Sequence, residues 1–169
     1  MDTPSQSTFM EFILYNNWAN QQVLQACQNL RADQLEAAIP GAYGTIRETL
    51  GHIIRAEAYY LKLLTGSYPQ PPFNWESPPD LTDMSAYATQ IGAALVDMAE
   101  RVRPTDQAVE EDNGNEFRYQ ALVVFIQIIN HGIEHRTNIT TILNQGLQKP
   151  PDVDGWGYLN AHPDRFDIK

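Results

Sequence analysis

Four long stretches with helical periodicity, separated by segments rich in proline, glycine and asparagine, constrain the fold of this 169-residue chain most strongly. In each stretch apolar residues recur every three to four positions, which is the spacing of one face of an α-helix. The predicted helices run from about Thr8 to Leu30, from Thr45 to Thr65, from a cap at Thr82 or Asp83 to just before Pro104, and from Tyr119 to Gln145. These helices predict an all-α fold, a four-helix bundle forming a single domain over residues 1–169.

The boundaries of the second predicted helix carry the clearest signals. Thr45 and Glu48 have the spacing of a capping box, and Gly66 followed by several prolines prevents the helix from continuing. Residues 66–80 are therefore expected to form a long ordered loop over the surface. The polar run 106–116 is expected to be a connection that can include a short extended piece, and a short helical piece is expected around Trp156 and Tyr158.

The charge of the chain excludes some partners. There are 21 acidic and 11 basic residues, for a formal net charge of −10, and an acidic surface repels phosphate backbones and anionic lipid. No nucleic-acid or membrane partner is therefore expected. The single cysteine, Cys27, forms no intrachain disulfide, and the sequence has neither a leader-like start nor an apolar run of about 20 residues. These features predict a cytoplasmic protein.

Two histidines on the fourth predicted helix have the spacing of metal ligands. His131 and His135 are four residues apart, which places both imidazoles on one face, one turn apart. If the second and fourth helices are neighbours, His52 can meet them at one point. Three imidazoles suit Zn²⁺, Ni²⁺, Fe²⁺ or Cu²⁺ better than Ca²⁺ or Mg²⁺, and they leave a coordination position for water or substrate.

The alternative interpretation is that these histidines are unrelated side chains. A single histidine on a helix is most often partly buried and hydrogen-bonded to its own neighbours, and His52 alone carries no metal signal. His162, beside Pro163, is interpreted as a solvated residue. Cys27 falls on the apolar face of the first helix and is interpreted as part of the core rather than as a nucleophile.

Two carboxylates are candidates for supporting a metal site. Glu57 falls on the apolar side of the second helix, where a carboxylate needs a partner. It could accept hydrogen bonds from a buried amide or hydroxyl, or orient a metal ligand; alternatively, the helix is rotated and Glu57 is solvated. Glu134, directly before His135, could act as a general base, orient a ligand or form an ion pair. Asn16 and Asn20 also fall within an apolar stripe and must find partners.

Several fragments resemble the DinB/YfiT-like family, in the order in which that family carries them. The fragments are Tyr15–Asn20 (the family's YNxWAN run), Leu50–Ile53 with Ala56 and Glu57 (HIxxAE), His131–Arg136 (HxxxHR), and Pro151–Asp154 with Trp156 and Tyr158 (the frequent C-terminal ending). Together they span nearly the whole chain. The resemblance is therefore far more specific than any single motif.

The resemblance implies an up-up-down-down bundle with its long crossover after the second helix. It also implies a divalent metal, commonly nickel or zinc, bound by the histidines that match His52, His131 and His135, and it implies a homodimer. Some members of the family are S-transferases or isomerases that use a low-molecular-weight thiol such as bacillithiol, mycothiol or glutathione. Others are labelled hydrolases, and many have no known activity.

Three functions therefore stay open. The first is a metal-dependent transferase that activates a low-molecular-weight thiol at the three-histidine site, with Glu57 and Glu134 beside it. The second is a hydrolase using a metal-bound water, for which Glu134 is the nearest candidate base in sequence. The third is a non-catalytic module that binds a metal or a small molecule. Only the resemblance favours the thiol, and neither metal nor substrate follows from the residues.

Overall fold

A computed structural model describes residues 8–71, 73–75 and 80–166, and this part of the chain is mostly helical. The helices are α1 (Thr8–Cys27), α2 (Ala32–Leu35), α3 (Ile46–Thr65), α4 (Leu81–Arg101), α5 (Ala121–Leu143) and α6 (Gly155–Ala161), with a 3₁₀ turn at Pro163–Arg165. Two strands, β1 (Gln107–Asp112) and β2 (Asn115–Gln120), lie between α4 and α5. The long helices correspond to the four that the sequence predicts.

The predicted capping box at the start of α3 is confirmed. The Glu48 backbone N–H donates to Thr45 Oγ1 over 3.1 Å, and the Thr45 N–H donates to Glu48 Oε2 over 2.8 Å. At the other end Gly66 adopts a left-handed conformation with φ of 84°, which glycine tolerates without steric cost. Other ends differ from the predictions: α1 stops at Cys27 rather than Leu30, and Asp80 caps α4 in place of Thr82 or Asp83.

The four long helices contact one another in a closed ring. Helices α1 and α3 each pack against both α4 and α5, so that their apolar faces enclose one core. The largest fully buried apolar side chains of this core are Phe125, Ile13, Leu24, Ile46, Leu50, Ile54, Met84, Ile91, Leu95, Ile128 and Ile139. Since α3 and α5 are neighbours, a side chain on one can meet side chains on the other.

The two-stranded antiparallel sheet corrects the prediction of an all-α fold. Its turn is Asn113-Gly114, and both residues have positive φ, 49° and 79°, as a two-residue type I′ hairpin turn requires. The polar composition of residues 106–116 favoured a connection, although Asn-Gly is a strong hairpin signal. Ala108 is fully buried, and Glu110 accepts hydrogen bonds from Tyr59 on α3 and from Tyr119. The bond from Tyr59 fastens the hairpin to α3, and the bond from Tyr119 joins its two strands.

The prediction that the fourth helix is buried is correct for only one of its sides. Along α5 the residues Leu122, Val123, Ile126 and Ile133 are 40–52% exposed, and Phe12 of α1 is 54% exposed. The β-branched, apolar sequence does not distinguish the two sides, because both carry large aliphatic residues. Despite this apolar character, no helix within residues 8–71, 73–75 and 80–166 meets the length and hydropathy of a membrane span.

A buried polar network joins three of the four long helices. The Glu57 carboxylate on α3 accepts hydrogen bonds from the side-chain amides of Asn16 and Asn20 on α1, both over 2.7 Å. The Arg136 guanidinium on α5 donates to the carbonyl oxygens of the same two amides, over 2.8 Å and 2.6 Å. The two asparagines and Glu57 thus have the hydrogen-bond partners that buried polar groups need. The negative charge of Glu57 is balanced by the positive charge of Arg136.

Gly132 leaves room for this network on α5. A Cβ atom built there would lie 2.5 Å from Arg136 Nη1 and 2.6 Å from Asn16 Oδ1. By contrast, a Cβ atom at Gly51 on α3 would meet no atom closer than 3.7 Å.

We predict that Gly132→Ala destabilises the protein by about 1–3 kcal/mol, because the added methyl group displaces buried hydrogen-bonded atoms. Gly51→Ala is the matched control. It makes the same chemical change inside a helix, and its better helix propensity should leave stability unchanged or raise it by up to about 1 kcal/mol. Urea unfolding measures both. Equal stability changes in the two variants would contradict the steric role of Gly132.

Candidate metal centre

Three imidazole rings meet between α3 and α5. His52, His131 and His135 each offer a nitrogen atom, and these nitrogens lie within 4.8 Å of one another. The ring centroids form a nearly equilateral triangle with sides of 4.7, 4.6 and 4.4 Å. The Nε2 atoms of His52 and His131 are 2.9 Å apart. The structure therefore brings together the three side chains that the sequence predicted would meet.

The positions of these rings follow from the two helices that carry them. His131 and His135 lie one turn apart on α5, on the side that packs against α3. His52 lies in the second turn of α3, seven residues after the Thr45 cap, so the start of this helix determines its height. Both α5 histidines are buried and His52 is half-buried. The open side of the cluster is therefore next to His52.

Burial keeps the three imidazoles uncharged. Burial, together with the neighbouring rings of His135 and His52, lowers the pKa of His131 to about 4. Burial also lowers the pKa of His135, while the carboxylate of Glu134 opposes that change. The pKa of His52 falls because of burial, His135 and the Arg55 guanidinium, again against Glu134. Neutral imidazoles have a free nitrogen lone pair, which is the form that binds a metal.

The donor set fits a borderline divalent cation. Three neutral nitrogens at this separation could hold a divalent transition-metal ion, and no carboxylate belongs to the cluster in the described part of the chain. The Nδ1 atoms of His131 and His135 are buried and have no hydrogen-bond partner among the described residues. No hydrogen bond from the described residues therefore fixes the Nδ1 proton of either ring.

Aromatic rings surround the cluster. Tyr43 stacks on His52 with ring centroids 4.0 Å apart, and its edge meets His135 at 5.1 Å. Tyr60 meets His131 edge to face at 5.8 Å. No sequence signal points to Tyr43, because it lies in the turn before α3. Its backbone N–H donates to Asn138 Oδ1 over 2.8 Å, so that α5 holds this turn over the histidines.

The two candidate carboxylates occupy different places. Glu57 is buried in the polar network with Asn16 and Asn20, and no hydrogen bond to a histidine is present in the described part of the chain. Burial raises the pKa of Glu57, while the two amide donors and Arg136 lower it. Glu134 is exposed on α5 and close enough to raise the pKa values of His52 and His135.

His162 and Cys27 lie apart from this centre. The His162 ring packs against Trp18 and Tyr158 near the end of the chain, so it is half-buried rather than solvated as predicted. Cys27 is fully buried in the core, as predicted. Burial raises the pKa of its thiol to about 12, which leaves it protonated near neutral pH.

A pocket of about 590 Å³ opens beside the histidine cluster. His52 is one of its lining residues, and the others come from α3, from α4 and from the connection between them. This volume is in the range of small-molecule sites. The arrangement can therefore hold a metal ion beside a cavity large enough for an organic substrate.

The comparison with protein families agrees with this geometry. The DinB family model matches residues 1–165, which is nearly the whole chain. A comparison with curated proteins gives no match.

We predict that replacing one ring of the cluster removes bound metal. Elemental analysis of protein purified without a histidine tag should find about one divalent transition-metal ion per chain in the parent and far less in His131→Ala, because two imidazoles bind much more weakly than three. His162→Ala, which removes an imidazole outside the cluster, should keep the metal content of the parent. Equal metal contents in His131→Ala and the parent would exclude the cluster as the site.

Proposed function

The chain belongs to the DinB family, and on this premise we propose that it is a metal-dependent transferase that activates a low-molecular-weight thiol. The observation that carries the proposal is the convergence of His52, His131 and His135 next to a substrate-sized pocket. Three protein ligands leave a divalent metal with an open coordination position, as reactive sites require. The family resemblance favours nickel or zinc as the metal and a thiol as the ligand it activates.

The proposed reaction needs a thiol whose proton leaves easily. A divalent metal held by His52, His131 and His135 supplies a Lewis acid that lowers the pKa of a coordinated thiol. The thiol sulfur then forms a bond to an electrophilic carbon, whose leaving group departs with its electron pair, and the thiol proton is released to solvent. Tyr43 stacks on His52, and its ring shields part of the cluster from water.

The remaining side chains have supporting roles in this proposal. Glu57 acts through the buried network, which holds α3 and α5 in one register, and Glu134 adds negative charge beside the histidines. Cys27 does not compete as a nucleophile because its buried thiol stays protonated. We propose a cytoplasmic location, where low-molecular-weight thiols are kept reduced.

One observation favours metal-dependent hydrolysis as the second candidate. Glu134 is close enough to affect the pKa values of His52 and His135, and a carboxylate in that place could accept a proton from an attacking water. A binding module without catalysis would use the same three histidines. The requirement for added thiol separates these possibilities.

We predict that the zinc- or nickel-loaded protein transfers bacillithiol, mycothiol or glutathione to an electrophile such as a chlorodinitrobenzene. Formation of the thioether is followed spectroscopically. His131→Ala should reduce the rate at least about a hundredfold, since even residues that only orient a metal ligand change activity by about 10- to 100-fold. His162→Ala should react like the parent.

Three outcomes of this assay have different meanings. A rate in His131→Ala equal to that of the parent would overturn the proposal. Turnover of an ester or amide panel without any thiol, lost in Glu134→Gln, would select hydrolysis. Tight metal retention with no reaction across both panels would select the binding module.

We also propose that residues 1–169 form one domain, a four-helix bundle of the up-up-down-down type, and that it is a homodimer. The closed ring of α1, α4, α3 and α5 supports the bundle. The homodimer is supported by an apolar stripe on α5, formed by Leu122, Ile126, Ile129 and Ile133, with Phe12 of α1 beside it. These positions repeat at helical spacing, and exposed stripes of this kind are typical of interfaces.

We predict that Ile126→Glu converts the dimer into a monomer, because the charge would be buried without a partner in the interface. Sedimentation velocity at several protein concentrations measures the change. Phe117→Glu, at a similarly exposed apolar position on the hairpin, is the control and should stay dimeric. A parent protein that sediments as a monomer would contradict the homodimer.

A further inference from the structure

Arg55 places a positive charge at the pocket beside the histidine cluster. It lies three residues after His52 on α3, so both side chains project from the same side of the helix. Its guanidinium carbon is 5.0 Å from the centroid of the Trp75 ring. Among the described residues no carboxylate forms an ion pair with Arg55.

The contact with Trp75 orients the guanidinium without using up its charge. An arginine that packs over an aromatic face gains a cation–π interaction and keeps its N–H groups free to donate. The Trp75 ring is itself held by Phe73 at 4.4 Å and by Tyr87 at 6.4 Å between ring centroids. Arg55 thus packs against an aromatic side of the pocket in which Phe73 and Tyr87 hold Trp75 in place.

The charge of the pocket lining differs in sign from the net charge of the whole chain. The net charge of the protein is −10, yet none of the described residues that line the pocket is acidic. The walls are mainly aromatic, with Tyr59, Tyr68, Phe73, Trp75 and Tyr87. Apart from the tyrosine hydroxyls and His52, the polar lining side chains are Arg55 and Gln70.

We propose that this pocket selects a small organic carboxylate with an aromatic or other apolar body, and that Arg55 is the residue that pairs with the carboxylate. The aromatic walls accept the apolar body, and the guanidinium matches the two carboxylate oxygens with two parallel donors. The inference deepens the proposed function, on which it rests, because His52 belongs to both the pocket and the metal centre. It assigns the specificity of the reaction to one side chain outside the metal ligands.

Binding of a matched pair of probes tests the assignment. Naphthaleneacetate and its neutral analogue naphthaleneacetamide are titrated into the zinc-loaded protein, and affinities are measured from amide shifts in two-dimensional NMR spectra. The carboxylate should bind about tenfold more tightly than the amide, since a hydrogen bond to a charged group at a partly exposed site contributes about this factor. Arg55→Gln should remove the difference, and Arg55→Lys should retain part of it.

Arg31→Gln is the matched control. It removes the same charge from an exposed arginine that pairs with Asp33 on the distant α2, so the preference for the carboxylate should be unchanged. His131→Ala tests direct binding of the probe to the metal, and in that variant Arg55 should still confer the preference. A preference that survives Arg55→Gln, or that disappears in His131→Ala, would overturn the proposal.

The thiol-transfer assay separates this inference from the proposed function. Probe selectivity that depends on Arg55 in a protein without turnover would support the carboxylate site and reject the transferase. Turnover with equal preference for anionic and neutral electrophiles in the parent and in Arg55→Gln would reject the carboxylate site alone.

Discussion

The buried hydrogen-bond network of Glu57, Asn16, Asn20 and Arg136 is the interaction on which the rest of the structure depends. It connects α1, α3 and α5 through two amides that bond to an anion on one side and a cation on the other. Removing either charged group would leave the other buried without its opposite charge, at a cost of about 3–5 kcal/mol. A register shift between α3 and α5 would break these bonds, and it would also move His52 away from His131 and His135.

The network and the metal centre share the same short segments of helix. On α3, His52 belongs to the histidine cluster, Arg55 lines the pocket and Glu57 is buried in the core. About one and a half turns of this helix therefore place side chains in three different environments. On α5, His131 and His135 face the cluster while Gly132 and Arg136 belong to the network. Fixing the core therefore also fixes the three histidines that could hold a metal, without hydrogen bonds to the Nδ1 atoms of His131 and His135 from the described residues.

Local signals explain which parts of the fold could be predicted. The Thr45 and Glu48 capping box determines the start of α3 through contacts within four residues, and the prediction was correct. The Asn113-Gly114 turn is an equally local signal. The polar composition around it favoured a connection, so the hairpin was not predicted. The exposed side of α5 was not predictable in this way, because Leu122 and Ile126 are as apolar as the residues of the core. Which side of such a helix faces its neighbours depends on their placement.

The sequence by itself determined the four long helices, the ends of α3 and the three histidines, because helix periodicity, capping and side-chain chemistry act over a few residues. It also identified Glu57 as a carboxylate that needs a buried partner. Only the tertiary structure decided that this partner is a pair of asparagines that also bond to Arg136, that Tyr43 stacks on His52, and that Arg55 packs over Trp75. These contacts join residues far apart in the chain, and their distances depend on how whole helices pack, which no local pattern encodes.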